Sequence, residues 1–330
     1  MHKSQIKTIY LDCSTLVPQE RIILNAKHFS TANPEYGAKE SLAYAVTCNK
    51  TIHTIQMTNI IGADDLVSDF LVPLVKLNKS LRKIYVAGVD ALGTRRSFEN
   101  RNGIPIYPIP EAEAAMKGAL GASLLSNALQ TDQMILNLNI SSNGIGDAGA
   151  VSFAQMLSIN QTLEELDLSH NWVGDVGIIA LAQGLHKNKT LKILKITGIS
   201  EQHVMTNKGI EAIAQMLLVN GTIHTIHLNG NRGCTPVLFE SLLMNRTVHT
   251  IYFPIMGGDI TLKMIADVLK VNPILRNIGI TNNQFTPADI AYFIEVLKEN
   301  NTLQEILFEG NFGHKPDYIN EINAILAARK

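Results

Sequence analysis

The sequence predicts a single α/β solenoid, in which short parallel strands line a concave face and α-helices cover a convex face. Three observations predict it. A strand pattern with the spacing L-x-x-L-x-L recurs along the chain, mostly at steps of 27 to 29 residues. Each regular copy is followed by a polar turn, and the turn is followed by an apolar stretch with helical periodicity. Repetition at such a period is typical of units that stack into one continuous core.

The strand pattern can be located by counting. Successive copies are separated by 29, 54, 28, 28, 32, 25, 27 and 28 residues. The step of 54 spans two periods, and a Pro-rich copy, Ile104-x-x-Tyr107-x-Ile109, lies in that gap. Because side chains alternate along a strand, the apolar members are expected to point inward and the residues between them outward. The first apolar residues of the copies are Ile52, Leu81, Ile135, Leu163, Leu191, Ile223, Val248, Leu275 and Leu303.

The turn after the strand has its own motif. It reads N-x-I-G-D-x-G from Asn143 to Gly149, and again from Asn171 to Gly177 with Val173 in place of Ile. Together with L-x-x-L-x-L-x-x-N, this turn resembles the ribonuclease-inhibitor class of leucine-rich repeats, which also forms the sensor arrays of NOD-like receptors. The resemblance covers about residues 50 to 312. It implies a horseshoe-shaped leucine-rich repeat solenoid that binds a protein partner without catalysis.

The predicted organisation is one leucine-rich repeat domain over residues 1–330. Residues 1–48 are expected to form a cap with degenerate units, including a weak strand at Arg21 to Leu24. The repeats then occupy 49–312, and a capping helix occupies 313–330. An insertion at 90–103 carries Arg95, Arg96 and Arg101, and is either a solvated loop or a basic loop that recognises an acidic partner. A second insertion at 200–206 is either tuned for a partner or neutral drift.

Composition limits the kind of partner. The chain has 28 Lys and Arg against 29 Asp and Glu, so its net charge of -1 predicts no general attraction for nucleic acid. No apolar run reaches the length of a membrane span. Three cysteines at unrelated spacings indicate a reducing compartment. We therefore expect a cytoplasmic monomer, and the alternative is delivery into a host cell cytosol without a hydrophobic signal peptide.

Asparagine recurs at two points of the period. One series, including Asn143 and Asn171, follows the strands, where the amide is expected to bond to backbone groups. The other series, including Asn160 and Asn188, falls where helices end, and we expect it to adopt the left-handed conformation of a helix stop. Most members of the second series read N-x-T or N-x-S. Since this triplet recurs at one structural point, we interpret it as architecture rather than as a glycosylation signal.

Candidate partner-binding residues lie at outward strand positions and at the rim. Tyr85, His227 and Tyr252 are potential anchors, and Glu165 with Asp167 predicts a local acidic spot. His224 and His249 share one unit position on adjacent strands, and are either ordinary surface histidines or a pH-sensitive contact. The full set is Lys83, Tyr85, Glu165, Asp167, Trp172, Lys195, His227, Tyr252, Glu305, Leu307 and Glu309, with Trp172 at the rim.

No known catalytic motif is present in the sequence. A phosphate-binding P-loop, a G-x-S-x-G elbow and an H-E-x-x-H metal motif are all missing, so no cofactor or metal is predicted. The enzyme alternative is a reactive Cys234 with His224 and His227 nearby in sequence. The preferred function is a non-catalytic protein-binding module. It is either a translocated bacterial effector, which irregular units with frequent Ile favour, or a cytosolic inhibitor or scaffold of eukaryotic type.

Overall fold

The computed structural model describes residues 21–25, 50, 52–58, 66–86, 111–198, 205–256, 261–281, 283, 285–308 and 316–329. The chain divides into two compact units, residues 1–163 and 164–330. Each unit alternates strands with helices, as the repeat spacing predicts. The predicted insertion at 90–103 and the residues around 200 to 204 lie outside the described part, as does most of the predicted cap over 1–48.

The described residues of the first unit form four parallel strands that pair side by side in chain order. The degenerate strand expected near Arg21 is present as β1. Helix α1 continues directly from a π-helical segment, Leu66–Leu71. The elements are β1 (Arg21–Asn25), β2 (Thr54–Thr58), α1 (Val72–Leu77), β3 (Lys83–Val86), α2 (Glu111–Leu129), β4 (Asn137–Asn139) and α3 (Gly146–Leu157).

In the second unit, the described part of the chain forms six parallel strands, again paired in chain order. A helix follows each strand, and most strands are three residues long, so each turn of the solenoid adds one short strand and one helix. The elements are β5 (Glu165–Asp167), α4 (Asp175–Lys187), β6 (Ile193–Lys195), α5 (Asn207–Val219), β7 (Thr225–His227), α6 (Pro236–Met244), β8 (Thr250–Tyr252), α7 (Leu262–Val271), β9 (Asn277–Gly279), α8 (Pro287–Glu299), β10 (Glu305–Leu307) and α9 (Pro316–Ala327).

The apolar residues of the strand pattern form the core. The central residue of the strands from β5 to β9 is at most 2% exposed, and Leu168 after β5 is 1% exposed. Helix side chains complete the layer: Phe239 of α6 stacks on Phe253 after β8, with ring centroids 5.6 Å apart. Both units therefore have the predicted α/β repeat architecture, with the helices packed on one face of the strands.

The asparagines that follow the strands join each turn of the chain to its neighbour. Asn231 is 2% exposed, and its amide donates to the carbonyls of Leu228 (2.9 Å) and of Ile196 in the preceding repeat (2.8 Å). Its Oδ1 accepts from the backbone N–H of Met205 (3.1 Å). Asn143 bonds in the same way to Val86 in the first unit. The expected backbone-bonding role of this series is confirmed.

The asparagines at helix ends behave differently from the expectation. Their backbones are extended rather than left-handed, with φ between -67° and -80° and ψ between 115° and 137°. The asparagine side chain bonds to the backbone groups around the helix end instead. In Asn220, Oδ1 accepts from the N–H groups of Thr222 and Ile223, both at 2.9 Å, and the amide donates to the Leu185 carbonyl of the preceding helix at 2.8 Å. The left-handed expectation was wrong because the side chain itself satisfies the helix end.

The same bonding pattern explains the N-x-T triplets. The asparagine is buried, and the hydroxyl of the third residue also bonds to it, as Thr222 Oγ1 does to Asn220 at 3.0 Å. In the second unit, Asn188, Asn220 and Asn245, which open such triplets, are at most 6% exposed. These triplets therefore belong to the architecture, as the sequence predicts.

Helix α9 packs against the last described repeat. Ile322 and Leu326 on α9 are 3% and 7% exposed. Beyond the helix, the Arg329 guanidinium donates to the carbonyls of Leu297 and Leu303. These contacts cover apolar surface that an open array would otherwise expose at its end.

Replacing one buried asparagine is expected to destabilise the fold. In Asn300→Ala, the N–H groups of Thr302 and Leu303 and the carbonyl of Leu269 all lose their partner. The free energy of unfolding should fall by about 3 kcal/mol, since buried polar groups are left unpaired. Urea denaturation measures this loss. The adjacent, exposed Asn301→Ala is the matched control, and equal stabilities of the two variants would contradict the proposed role of the amide.

Candidate protein-binding face

The strand register of the second unit places the outward side chains in two rows. We call the surface that they form the open face. It contains seven of the sequence-predicted binding residues, on five of its six strands. One row is Glu165, Ile193, Thr225, Thr250, Asn277 and Glu305, and the other is Asp167, Lys195, His227, Tyr252, Gly279 and Leu307.

An ion pair joins the first two strands of the open face. Lys195 Nζ lies 2.6 Å from Glu165 Oε1, and their side chains are 29% and 20% exposed. Because the two residues lie on neighbouring strands, the pair holds both side chains flat against the sheet. Partly exposed pairs of this kind contribute about 0–1 kcal/mol to stability. The main effect of this pair is to fix the position of two charges.

Asp167 is more buried than the sequence predicts. The residue is 8% exposed, and its Oδ1 accepts from the N–H of Ser169 at 2.9 Å. Glu165 is neutralised by Lys195. The expected acidic spot of Glu165 and Asp167 is therefore wrong as an exposed feature, because one carboxylate caps a turn and the other forms an ion pair. The charge of Asp167 still acts at a distance on His227.

The centre of the open face is an aromatic pair. The rings of His227 on β7 and Tyr252 on β8 stack with centroids 4.2 Å apart and an interplanar angle of 19°. Both residues are half-buried, so each ring keeps exposed surface. Stacked rings lose little conformational freedom when a partner binds, which is why aromatic residues are frequent at the energetic centres of interfaces.

The strand neighbour of Tyr252 makes this arrangement possible. Gly279 pairs with Tyr252 in the register, and a Cβ on Gly279 would lie 2.2 Å from Tyr252 Cδ1. The tyrosine ring therefore lies over the backbone of β9, in space that a side chain would fill. Sequence reasoning missed Gly279. Its signal was a glycine inside a strand pattern, which marks a close approach of other atoms.

The environment of His227 favours its neutral form. Burial lowers the pKa of His227 below the ordinary value of 6.5, and the nearby Lys195 ammonium lowers the pKa further. Asp167 and Glu165 oppose this shift, but with smaller effects. At neutral pH the centre of the face is therefore an uncharged aromatic surface beside an ion pair.

The other predicted partner-binding residues lie in three different parts of the structure. Glu305 is exposed and Leu307 half-buried on β10, at the end of the two rows, while Glu309 lies outside the described residues. Trp172 lies in the loop after β5. Lys83 and Tyr85 belong to the first unit, where they pair in register with Asn137 and Asn139.

Trp172 adopts a conformation that is unfavourable for its residue type. Its φ is 60°, in the left-handed region, and its side chain is half-buried. Gly144, at the corresponding position after Asn143, has a φ of 62°. Glycine adopts this region without strain, whereas a side chain with a Cβ clashes with the backbone. The loop therefore retains the only tryptophan of the chain at a cost in backbone energy.

Comparisons with known proteins agree with this repeat architecture. The family model described as "Leucine Rich repeat" matches residues 132–154 and 160–182. These two segments include the strand pattern, the Asn-containing turn and the first part of the following helix, the same succession that the other units show.

Two repeats of the chain match leucine-rich repeats, and its described residues have that repeat fold.

The solved structures similar to this chain are remote in sequence. One is titled leiomodin-1 actin-binding site 2, with 16% identity, a TM-score of 0.28, and coverage of 67% of this chain and 90% of that one. Another is a tropomodulin C-terminal domain of Caenorhabditis elegans, with 10% identity, a TM-score of 0.30, and coverage of 65% and 92%. No curated protein matches. Leucine-rich repeat domains typically mediate protein–protein interaction.

The alternative based on Cys234 does not fit the structure of this repeat protein. Cys234 is 8% exposed, and burial raises the pKa of its thiol from 9.0 to about 12. A nucleophilic cysteine needs the thiolate, which a positive environment stabilises and an apolar one does not. The two histidines expected nearby contact other residues: the His224 ring lies against His249 in a tilted arrangement, and the His227 ring stacks on Tyr252.

Among the described residues, no group of three or more His, Cys, Asp or Glu side chains is arranged to hold a metal ion. In the same part of the chain, none of the helices has the length and apolar character needed to cross a bilayer.

The Cys234 thiol should react slowly in the folded protein. At about pH 8 the thiolate is on the order of one molecule in ten thousand, since the pKa is about 12. Reaction with a chromogenic disulfide, in a variant with Cys13→Ser and Cys48→Ser, isolates this thiol. We expect the rate to rise by at least 100-fold in denaturant, where burial is lost. A native rate equal to the denatured rate would support the reactive-cysteine alternative.

The lowered pKa of His227 should reduce stability at acidic pH. Below about pH 6.5, His227 is protonated in the unfolded chain but remains neutral in the folded chain, because its pKa is lower there. Protonation therefore stabilises the unfolded state, and the free energy of unfolding falls as the pH falls towards the folded pKa. Urea denaturation between about pH 7.5 and pH 5 measures this slope for the wild type and for His227→Gln. The variant should show the smaller slope. Identical slopes would show that His227 titrates equally in both states.

Proposed function

We propose that this chain is a non-catalytic module that binds a partner protein on the open face of its second unit. The observation that carries the proposal is the His227–Tyr252 stack, which is rigid, aromatic and partly exposed at the middle of the strand rows. Parallel solenoids present such faces as extended binding surfaces. Binding alone would produce the effect, because it masks or tethers the bound surface of the partner.

The chemistry of the face suggests how the binding energy is distributed. The aromatic stack offers a flat apolar contact at the centre, where interfaces concentrate their energy. The Lys195–Glu165 pair beside it is already neutralised and held in place, so a partner can bond to either group without first ordering it. Leu307, next to Gly279 in the register, adds an apolar contact on the other side.

Trp172 supports an extension of the binding surface to the rim. Its left-handed backbone carries strain that a glycine at the same position would remove. Strain of this kind recurs where function requires a specific side chain. We include Trp172 in the proposed surface for this reason, as an aromatic contact at the edge of the partner. Lys83 and Tyr85 form a separate proposed contact on the first unit.

The cellular compartment in which the chain acts is a further part of the proposal. A buried, unpaired Cys234 thiol suits a reducing cytosol. Within that setting, the two versions remain a bacterial effector that acts on a host protein and a cytosolic inhibitor or scaffold. Capture of a partner from host lysate in preference to lysate of the source cell supports the effector, and the reverse preference supports the inhibitor or scaffold.

A double variant of the aromatic stack tests the proposed face. In Tyr252→Ala with His227→Ala, a partner captured from lysate by the wild-type chain should bind at least 100-fold more weakly, since central aromatic anchors contribute about 2 kcal/mol or more each. Kd values by biolayer interferometry and melting temperatures by circular dichroism are measured together. Both residues are half-buried at the surface, so melting should change little.

Two further variants complete this test. Tyr318→Ala removes a half-buried tyrosine of α9 and should bind as the wild type does. Gly279→Ala keeps both rings but places a methyl group where Tyr252 lies, so it should weaken binding by displacing the ring. Unchanged affinity in the double variant, with melting also unchanged, would show that the partner binds elsewhere.

A further inference from the structure

A row of basic side chains precedes the central strands of the second unit. His224, His249 and Arg276 each stand one residue before a strand, β7, β8 and β9 respectively. Backbone bonds place them side by side: the His249 N–H donates to the His224 carbonyl at 3.0 Å, and the Arg276 N–H donates to the His249 carbonyl at 2.8 Å. The two imidazole rings are 5.3 Å apart between centroids. We call these three residues the basic edge.

The basic edge differs from its neighbours in charge balance. At the same position on β6, Lys192 is paired with Glu164 at 2.7 Å. No such ion pair joins His224, His249 or Arg276 to a carboxylate among the residues that the structure describes. All three side chains are exposed or half-exposed. The edge therefore has one permanent positive charge, that of Arg276, which forms no ion pair with a carboxylate among the described residues.

Other charged groups around the edge do not neutralise it. Arg246, in the turn before β8, is exposed and donates to the carbonyls of Leu243 and Asn245, which satisfy its hydrogen bonds but leave its charge. Glu305, on β10 next to Asn277, is exposed and lies beyond ion-pair distance of Arg276. The groups that face the two histidines are thus mainly cationic or neutral.

One hydrogen bond positions the half-exposed ring of His249. Its Nδ1 lies 3.3 Å from Thr250 Oγ1, and that oxygen accepts from Asn277 Nδ2 at 3.0 Å. In the protonated ring both nitrogens carry a hydrogen, so the imidazolium can donate to a ligand. Burial, then His224 and Arg276, lower the pKa of His249, so an arriving anion relieves a repulsion that already exists.

We propose that the basic edge binds carboxylate side chains of an acidic segment of the partner protein, and binds them more tightly as the pH falls below neutral. The proposal rests on the proposed function, because the edge is continuous with the aromatic stack: His224 and His227 share β7, and His249 and Tyr252 share β8. A partner seated on the stack would present its acidic segment to this edge. Arg276 supplies a permanent charge and His249 a titratable one.

The direction of the pH dependence follows from linkage. A bound carboxylate stabilises the protonated form of each histidine, so binding takes up protons and affinity rises as the pH falls. A rise of one unit in the pKa of one histidine corresponds to about a tenfold gain in affinity once the pH is below both values. Glutamate side chains remain mostly ionised at about pH 5.5, so the ligand keeps its charge over the range used.

The experiment uses the full chain and a fluorescent decaglutamate peptide at low salt. Fluorescence anisotropy gives Kd at about pH 7.5 and pH 5.5. We expect about tenfold tighter binding at the lower pH for the wild type. His224→Gln with His249→Gln should abolish this gain, and Arg276→Gln should weaken binding about tenfold at both values. His186→Gln, on helix α4, is the matched control for lost histidine charge and should keep the gain.

Several outcomes would overturn the proposal. They are a histidine double variant that keeps the pH dependence, a control variant that loses it, and binding of inorganic phosphate or of anionic vesicles in place of the peptide. Imidazole proton resonances, followed by NMR in the full chain, provide a second measurement that does not depend on the variants folding. The peptide should raise the pKa of His249, and an unmoved titration would contradict the site.

The outcomes also separate this proposal from the proposed function. If the peptide does not bind while Tyr252→Ala with His227→Ala still loses the captured partner, the edge is refuted and the open face stands. If the peptide binds as expected while that double variant keeps its partner, the edge stands and the open face is refuted.

Discussion

The structure depends on buried asparagine side chains that bond each repeat to the one before it. A short repeat cannot bury its own backbone ends, because the strand and the helix are joined by turns whose N–H and C=O groups face the core. Asn220 and Asn231 satisfy these groups from opposite ends of a strand, and both reach back to the preceding repeat, at Leu185 and Ile196. Each amide both accepts and donates, whereas Asp132, at the position in the first unit that corresponds to Asn220, makes only the accepting bonds, to the N–H groups of Met134 and Ile135.

This constraint determines where sequence is free to vary. Inward strand positions are required to be apolar and the helix-end positions need a side chain that accepts backbone N–H bonds, whereas most outward strand positions are less constrained. The chain places Lys195, His227 and Tyr252 at such outward positions. Two outward positions do have structural roles: Asp167 accepts a backbone N–H in the turn, and Gly279 leaves the space that the tyrosine ring occupies. A binding face and its scaffold are thus interleaved residue by residue along three-residue strands.

The difference between inward and outward strand positions also explains how much of the structure the sequence predicted. The period and strand alternation predicted the fold and the burial of residues such as Leu168, since both depend on spacing alone. Alternation also predicted that His227 and Tyr252 share a face. The contact between their rings depends on a side-chain conformation and on Gly279 in the next repeat, which spacing does not encode. Asp167 was misjudged for a similar reason, because a carboxylate near a turn can accept a backbone N–H and bury itself.

The buried N-x-T triplets limit the route by which this chain can reach its folded state. An oligosaccharide attached to Asn188, Asn220 or Asn245 during synthesis is far too large for a position at most 6% exposed. A nascent chain that entered a glycosylating organelle would carry sugars on the same amides that have to close each repeat, and stacking would stop at the first modified one. Modification of any of these asparagines before folding would therefore prevent the stacking of the repeats. For expression in eukaryotic hosts, this favours cytosolic production over the secretory pathway.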